Sequence, residues 1–511
     1  MSLTSIPKAL EAEFVTHNSE RTLFQKVLYM ATHITVEPLV FLAVLPSTMN
    51  ELTTQNMNLE KACRVNIRYN DSVCDALASR NKTGYEPYQE QEVQKLVSNM
   101  LAIKMAVLGS YPAFLMLFLG SWSDRHGRRK PLILMPVIGE FIASILLFFC
   151  SYFFMETSVE YSMLSQTIPL ALGGTWACGF LGLYTYVSGL CSNEDRTIRI
   201  GTVTMFQISS GTLGIFLSGM MLNLVGLKGV YLISATSLLV ALTYGIFMIK
   251  EKFIVENKPE GGLKDFFSLV HIKNTFKVCF KQGSDNRRSK ILVIMLLSTM
   301  IMGPLHGEIA VVYMYTRIKC GWNEIDYSIY NSLHSIIQVF GSIFALSVFS
   351  KYFKLEDAML GMIAMISKIC ACFIFAFATS GSIFYVGAFV EIFHSTCHIA
   401  LRSLMTRIVP THELGQANSV FGIFEAFTPL IFGPFYMKLY TSTITIFPGA
   451  FYIVTSGLYM ITFYLFFWMY RTYKNEEKMK MKLEKQTEQE DKLLKVKPDS
   501  AQKKSLEKIS I

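Results

Sequence analysis

The stretch GSWSDRHGRRKP, Gly120 to Pro131, sets five charged side chains and a histidine between two apolar runs, YPAFLMLFL (111–119) and LILMPVIGEFIASILLFF (132–149). In a soluble domain such a glycine-flanked basic cluster reads as a phosphate loop or a nucleic-acid patch. Between two hydrophobic spans it reads as a short turn at a membrane face. Composition decides between these: the chain is 51% hydrophobic and only 17% charged, against about 25% charged in soluble domains. Twelve apolar stretches recur, each about 18 residues or longer and so able to cross roughly 30 Å of hydrocarbon as a helix. They cover 27–50, 95–119, 131–153, 161–189, 199–223, 229–249, 291–316, 326–350, 357–379, 382–408, 414–439 and 445–470. The expected class is an all-α membrane protein of twelve transmembrane helices in two six-helix bundles.

The net charge of +9 follows the membrane rather than a nucleic acid. Lys and Arg crowd 120–130, the linker 251–290 and the tail 472–511, whereas loop 51–92 leans acidic. Positive-inside bias places the basic segments and both termini in the cytoplasm. The two Asn-x-Ser/Thr glycosylation sequons, at Asn70 and Asn81, fall in loop 51–92 and agree with that orientation. Residues 1–26 form a cytoplasmic N-terminus; they contain EAEF and no continuous apolar core, so they do not read as a signal peptide. Of ten cysteines, Cys63, Cys74 and Cys320 lie on the oxidising side, which predicts one disulfide and one thiol left over.

Six spans (27–250), a polar linker and six more (291–471) form the layout of a secondary transporter whose substrate site lies between two similar bundles near the midplane. The tail, rich in Lys and Glu, reads as a solvated or partly helical extension. No Gly-x4-Gly-Lys-Ser/Thr occurs, which disfavours an ATP-driven pump. The glycines of spans four and five read as close-packing positions. No enzyme chemistry, cofactor or metal site is expected. The expected partners are a small organic anion, protons and the lipid bilayer, with the chain a monomer or weak homo-oligomer.

In the turn between spans two and three, Gly120 and Gly127 permit close backbone approach. Asp124 and Arg125 can pair, and Arg128 and Arg129 can bind carboxylates or helix C-terminal carbonyls when the bundles close, making a latch between states. The spacing G-x3-D-R-x-G-R-R resembles the signature of the major facilitator superfamily. VEP (36–38), RTIRI (196–200), CGWNE (320–324), LRSLMTRIV (401–409) and ELGQANSVFG (413–422) narrow the resemblance to the proton-coupled folate transporter family and its thymic stromal and lysosomal relatives. The resemblance implies alternating access, import of organic anions such as folates with protons, and a disulfide from the first outer loop to the one before span eight. Cys320 fits the second partner of that disulfide; Cys74 fits the first, with Cys63 its rival. Arg402 stands where the family's carrier uses an arginine for binding and coupling. Thr175 and Thr204 stand at positions where that carrier has acids, and Gly303 where it has a histidine.

Ionisable groups inside spans cost at least about 2.5 kcal/mol each at the bilayer centre, which makes them candidates for function. Glu391, His394, His398 and Arg402 lie at i, i+3, i+7 and i+11, within an arc of roughly 80° on one helical face. There Arg402 suits a substrate carboxylate and the imidazoles suit protons. Tyr327, Asn331, His334 and Gln338 repeat the pattern in span eight as a hydrogen-bonding cavity wall or as interhelical glue. His33 and Glu37 are one turn apart beside Pro38, and Glu140, His306, Glu308 and Glu425 complete the set; Glu308 resembles an acidic position of the family. A transport-deficient receptor or scaffold of the same fold, a proton-independent facilitator and a channel are the rival functions. An imperfect acidic dileucine motif, TEQEDKLL (487–494), leaves plasma and lysosomal membranes both open.

Overall fold

The computed structural model describes residues 35–190, 196–251, 287–353, 355–408 and 414–496, and these contain helices and no strand. In chain order the helices are α1 Glu37–Lys61, α2 Asp71–Ala78, α3 Pro87–His126, α4 Lys130–Tyr152, α5 Val159–Leu172, α6 Thr175–Leu190 and α7 Arg196–Met248 in the N-terminal half. The C-terminal half holds α8 Arg287–Cys320, α9 Glu324–Phe344, α10 Asp357–Phe377, α11 Gly381–Val390, α12 Thr396–Ile408, α13 Leu414–Thr443 and α14 Ala450–Val496. Helices suit this sequence because a lipid-embedded backbone must satisfy its own hydrogen bonds. Large apolar side chains accordingly face outward, among them Leu224, Phe247, Phe340, Phe389 and Tyr464.

Nine of these helical segments are long and apolar enough to cross a membrane among the described residues. Helix α7 carries two of the expected spans, divided where Gly226 takes φ 67°, a left-handed conformation natural to glycine. Helix covers at least part of each of the twelve apolar stretches. Span one departs most from expectation. Its helix runs through Glu51 to Lys61 and on into a π-helical turn, Ala62–Ile67, so much of the expected loop 51–92 is helical. At the other end α14 continues through the start of the charged tail to Val496, and Lys290 of α8 holds Glu476 at 2.7 Å.

The core is divided unevenly. At the sequon end one apolar cluster crosses both halves, joining Leu52, Val93, Val97 and Leu101 to Val311, Met314, Tyr436 and Tyr440. At the basic end each half keeps its own cluster: Val36, Leu39, Ile133 and Leu238 in one, Ile291, Leu297, Leu401 and Phe466 in the other. Hydrogen bonds between the halves join the described residues of the sequon end as well. Arg317 of α8 reaches Asn56 and the Leu77 carbonyl at 3.3 and 3.2 Å. Gln94 of α3 donates to the Met314 carbonyl at 3.2 Å and accepts from Tyr440 at 2.8 Å. Helices α7 and α9 meet so closely that a Cβ on Gly219 would lie 2.7 Å from the Glu324 carbonyl. The molecule is sealed at its sequon end.

The disulfide corrects an expectation that came from family resemblance. Cys74 bonds Cys63, with Cα atoms 5.8 Å apart, and Cys320 is a free thiol at the end of α8. The cause is local: after the π-turn, Arg68 adopts a left-handed conformation that turns the chain back, laying α2 beside Cys63. The expectation of one bridge and one spare thiol holds. A bridge over 11 positions contributes about 3 kcal/mol. Cys63→Ser with Cys74→Ser is therefore expected to lower the melting temperature of the detergent-purified protein by several degrees, while Cys320→Ser leaves it within about one degree. Non-reducing peptide mapping should recover 63–74 as the linked pair.

Candidate functional site

Span nine, α10, is a 21-residue apolar helix with a lysine near its middle, Lys368. A lone cation there is costly unless carboxylates surround it. Two do. Its Nζ donates to Glu308 Oε2 of α8 at 2.7 Å and to Glu391 Oε1 at 2.9 Å, with its side chain 2% exposed. Two imidazoles flank the second carboxylate: His334 Nε2 of α9 lies 3.3 Å from Glu391 Oε2, and His394 Nδ1 lies 3.3 Å from Oε1. Gln338 adds its amide to Oε1 at 3.2 Å and meets His334 at 3.0 Å. One lysine thus holds two carboxylates inside the C-terminal half, and two histidines stand within reach of one of them.

Glu391 is free to reach that lysine because span ten is broken. Helix α11 ends at Val390, Glu391 caps it, and 391–395 turn before α12 begins. The expected single face from Glu391 to Arg402 is therefore not one continuous helix. The break swings Glu391 and His394 into the bundle and leaves Arg402 apart, its side chain 56% exposed, 3.3 Å from Glu425 of α13 and stacked over Phe421. His398 remains near His394, with ring centroids 6.1 Å apart. The expected wall of span eight divides too. His334 and Gln338 join the charged cluster, Asn331 lies half-buried one turn away, and Tyr327 packs on Tyr313 at 4.9 Å in the sequon-end seal.

The N-terminal half has its own buried lysine. Lys104 of α3, 4% exposed, donates to both oxygens of Glu51 at 2.8 and 3.0 Å and to Gln166 Oε1 of α5 at 2.9 Å. Gln166 returns a bond to Glu51 Oε2 at 3.0 Å. Here one cation meets one carboxylate, so the group is neutral. In both halves a lysine ties the first span to the fourth, but only the C-terminal site carries surplus negative charge.

Other expected residues take structural partners. Glu37 is buried against Arg199 at 2.8 Å and accepts from the backbone N–H groups of Thr35 and Val36. His33 lies outside the described residues. Glu140 accepts from the Trp176 indole at 3.2 Å. In the basic turn, Gly127 ends α3 with φ 63° and Ser123 holds the Arg128 carbonyl at 2.9 Å. Arg129 donates to the Thr185 carbonyl near the end of α6, a contact within one half. Gly120 lies within α3, as do Asp124 and Arg125, whose side chains are outside the description. Asn70 and Asn81 are exposed beside α2. Sequence reasoning listed acids and histidines and passed over Lys104, Arg199 and Lys368. The signal was available, because each is a cation inside an expected span, subject to the same cost as the acids.

The model of the Major Facilitator Superfamily matches residues 95–434, more than half of the chain. Among curated proteins, the chain is 23% identical to a probable peptidoglycan muropeptide transporter of Drosophila melanogaster, with 83% of each chain covered. It is 24% identical to the lysosomal proton-coupled steroid conjugate and bile acid symporter of Gallus gallus, covering 86% of this chain and 95% of that one. The proton-coupled folate transporter of Bos taurus is also 24% identical, with 83% and 90% covered. Among solved structures, the human organic anion transporter MFSD10 superposes with a TM-score of 0.59 at 13% identity, over 84% of this chain and 98% of that one. A bacterial homolog of the lysosomal transporter Spinster, solved inward-facing and unoccupied, gives 0.52 at 16% identity over 85% and 98%. With helices throughout, a turn that carries the basic signature and that family match, the chain is a multi-pass membrane protein that belongs to the Major Facilitator Superfamily of transporters.

Proposed function

We propose that the chain is a secondary transporter of a bulky organic anion, coupled to protons through the Lys368 cluster and working by alternating access. The observation that supports this most is the charge of the cluster: Lys368 faces two carboxylates. With both ionised, the site carries one negative charge in excess, and desolvation penalises that state. One added proton, held by Glu391 or by His334 or His394 beside it, makes the site neutral. The loaded form is then the one suited to pass through a closed, water-poor state, which ties movement of the halves to protonation. Protonated Glu391 also loosens its hold on Lys368, leaving Lys368 to Glu308 and freeing the break in span ten to bend.

Arg402 supplies the anion contact in this reading. It is solvent-reached and monodentate on Glu425, so a substrate carboxylate or sulfate can take its place there. The seal at the sequon end supports a conformation closed on the side away from the basic face. Positive-inside bias makes that face cytoplasmic. The curated relatives, named for folates, steroid conjugates, bile acids and muropeptides, support an organic substrate, and lysosomal and plasma membranes both fit.

Uptake of radiolabelled folate, a steroid sulfate and a muramyl peptide, compared at pH 5.5 and 7.4 in cells expressing the chain, tests the reading. Acid-stimulated uptake of at least one is expected; no flux of any, with the protein at the membrane, would favour a scaffold. Glu391→Gln should flatten the pH profile, and an unchanged profile would move the coupling site elsewhere. Lys368→Met leaves two carboxylates unpaired, a loss of about 3–5 kcal/mol if both stay ionised, and adding Glu391→Gln should recover part of the melting temperature. Arg402→Ala should reduce uptake at least tenfold with surface expression unchanged.

A further inference from the structure

Glu391 stands between two histidines that differ in access. His334, on α9, is 20% exposed. His394, on the other side, is 1% exposed and enclosed in the C-terminal half, its ring 5.5 Å from that of Tyr459 on α14. His394 engages Glu391 through Nδ1, while its Nε2 has no partner among the described residues; the hydroxyl of Thr396, also buried, has none either. Buried polar atoms are nearly always satisfied, by protein or by ordered water. Two such atoms, two residues apart where the break in span ten gives way to α12, mark a polar seam inside the bundle. One turn on from His394 lies His398, and one turn beyond that Arg402 meets Glu425, where solvent reaches the protein again.

We propose that this seam is a proton line, His394 to His398 to Glu425, by which Glu391 exchanges its proton with the basic face inside the C-terminal half, apart from the gap between the halves that the substrate crosses. The proposal rests on the reading of Glu391 as the coupling site. Each transfer balances. A protonated Glu391 gives its proton to His394 Nδ1, His394 gives one up from Nε2 across the Thr396 hydroxyl and bridging water to His398, and His398 passes one to the Glu425 carboxylate or to solvent. The imidazoles end neutral and the carboxylate ionised.

The groups facing the line are few. Around Glu391 stand Lys368, Glu308, His334 and Tyr330. Around His394 stand Glu391, Lys368, Glu308 and Tyr459. Around His398 stand His394, Arg402 and His306 of α8. Arg402, a fixed cation beside His398, keeps a proton from dwelling there, as a relay requires.

The test uses the full-length protein in lipid nanodiscs with the proton as the probe, so no substrate is needed. After a rapid drop in pH, time-resolved infrared spectroscopy follows the carbonyl band of the protonated carboxyl, assigned by its loss in Glu391→Gln. His398→Gln and Thr396→Ala should slow the band's appearance about tenfold and threefold, with its final amplitude and the melting temperature unchanged. Rates within twofold of wild type in both variants, or slowing confined to His334→Gln, would overturn the line and send the proton through the gap. If no band is lost in Glu391→Gln, Glu391 takes no proton; that outcome overturns the coupling site itself, and the line with it, and is distinct from a fast line-independent exchange.

Discussion

A lysine at the middle of a 21-residue apolar helix is the constraint from which the C-terminal half is organised. An ammonium group at that depth has few acceptable surroundings. Meeting Lys368 with carboxylates requires Glu308 from one neighbouring helix and Glu391 from another, and Glu391 reaches it where span ten exchanges α-helical hydrogen bonds for tighter i→i−3 turns, from Ile392 to Cys397. Electrostatics thus sets backbone geometry here. The N-terminal half solves the same problem with less strain on its helices, because Glu51 and Gln166 already face Lys104 from regular turns. The two solutions differ by one charge, and in the proposed function that difference divides the labour between the halves: one is a fixed strut, the other the site that takes the proton.

The same economy shows in how the halves meet. Apolar packing and hydrogen bonds converge at one end, where α3 touches α13 and α7 touches α9, and diverge at the other. Glycines at the crossings, Gly109 against Leu430 and Gly219 against Glu324, let backbones approach where side chains would hold them apart.

Much of this was legible in the sequence. Twelve apolar stretches, the basic turn and the polar linker fix the class and the two-half layout, because hydrocarbon thickness imposes a length that no soluble core demands. The site was half legible. Glu308, Glu391, His334, Gln338 and His394 were each recognisable as polar groups in spans, yet periodicity assigned Glu391 and His394 to one face, His334 and Gln338 to another, and Glu308 to neither. The break at Glu391 to Ser395 has no proline or glycine to announce it; it follows from a partner 23 residues upstream, which pattern reading along one helix does not see. Span one was cut short at Asn50 for the converse reason. Glu51, Glu60 and Lys61 lower its hydropathy, but Glu51 and Lys61 are satisfied across the bundle, by Lys104 and the backbone carbonyls of Phe154 and Thr157, and Glu60 by Arg64 one turn on.

The position of the disulfide bears on all of this. Cys63 and Cys74 both belong to the N-terminal half, whereas Cys320 ends a helix of the other. A bond from Cys74 to Cys320 would have been a covalent hasp across the sealed end. The bond that forms instead stiffens a single outer lobe, the one whose Leu77 carbonyl and Arg80 rest on Arg317. Among the described residues the sealed end keeps only non-covalent ties between the halves, so the bridge hardens the lid without fastening it to the box.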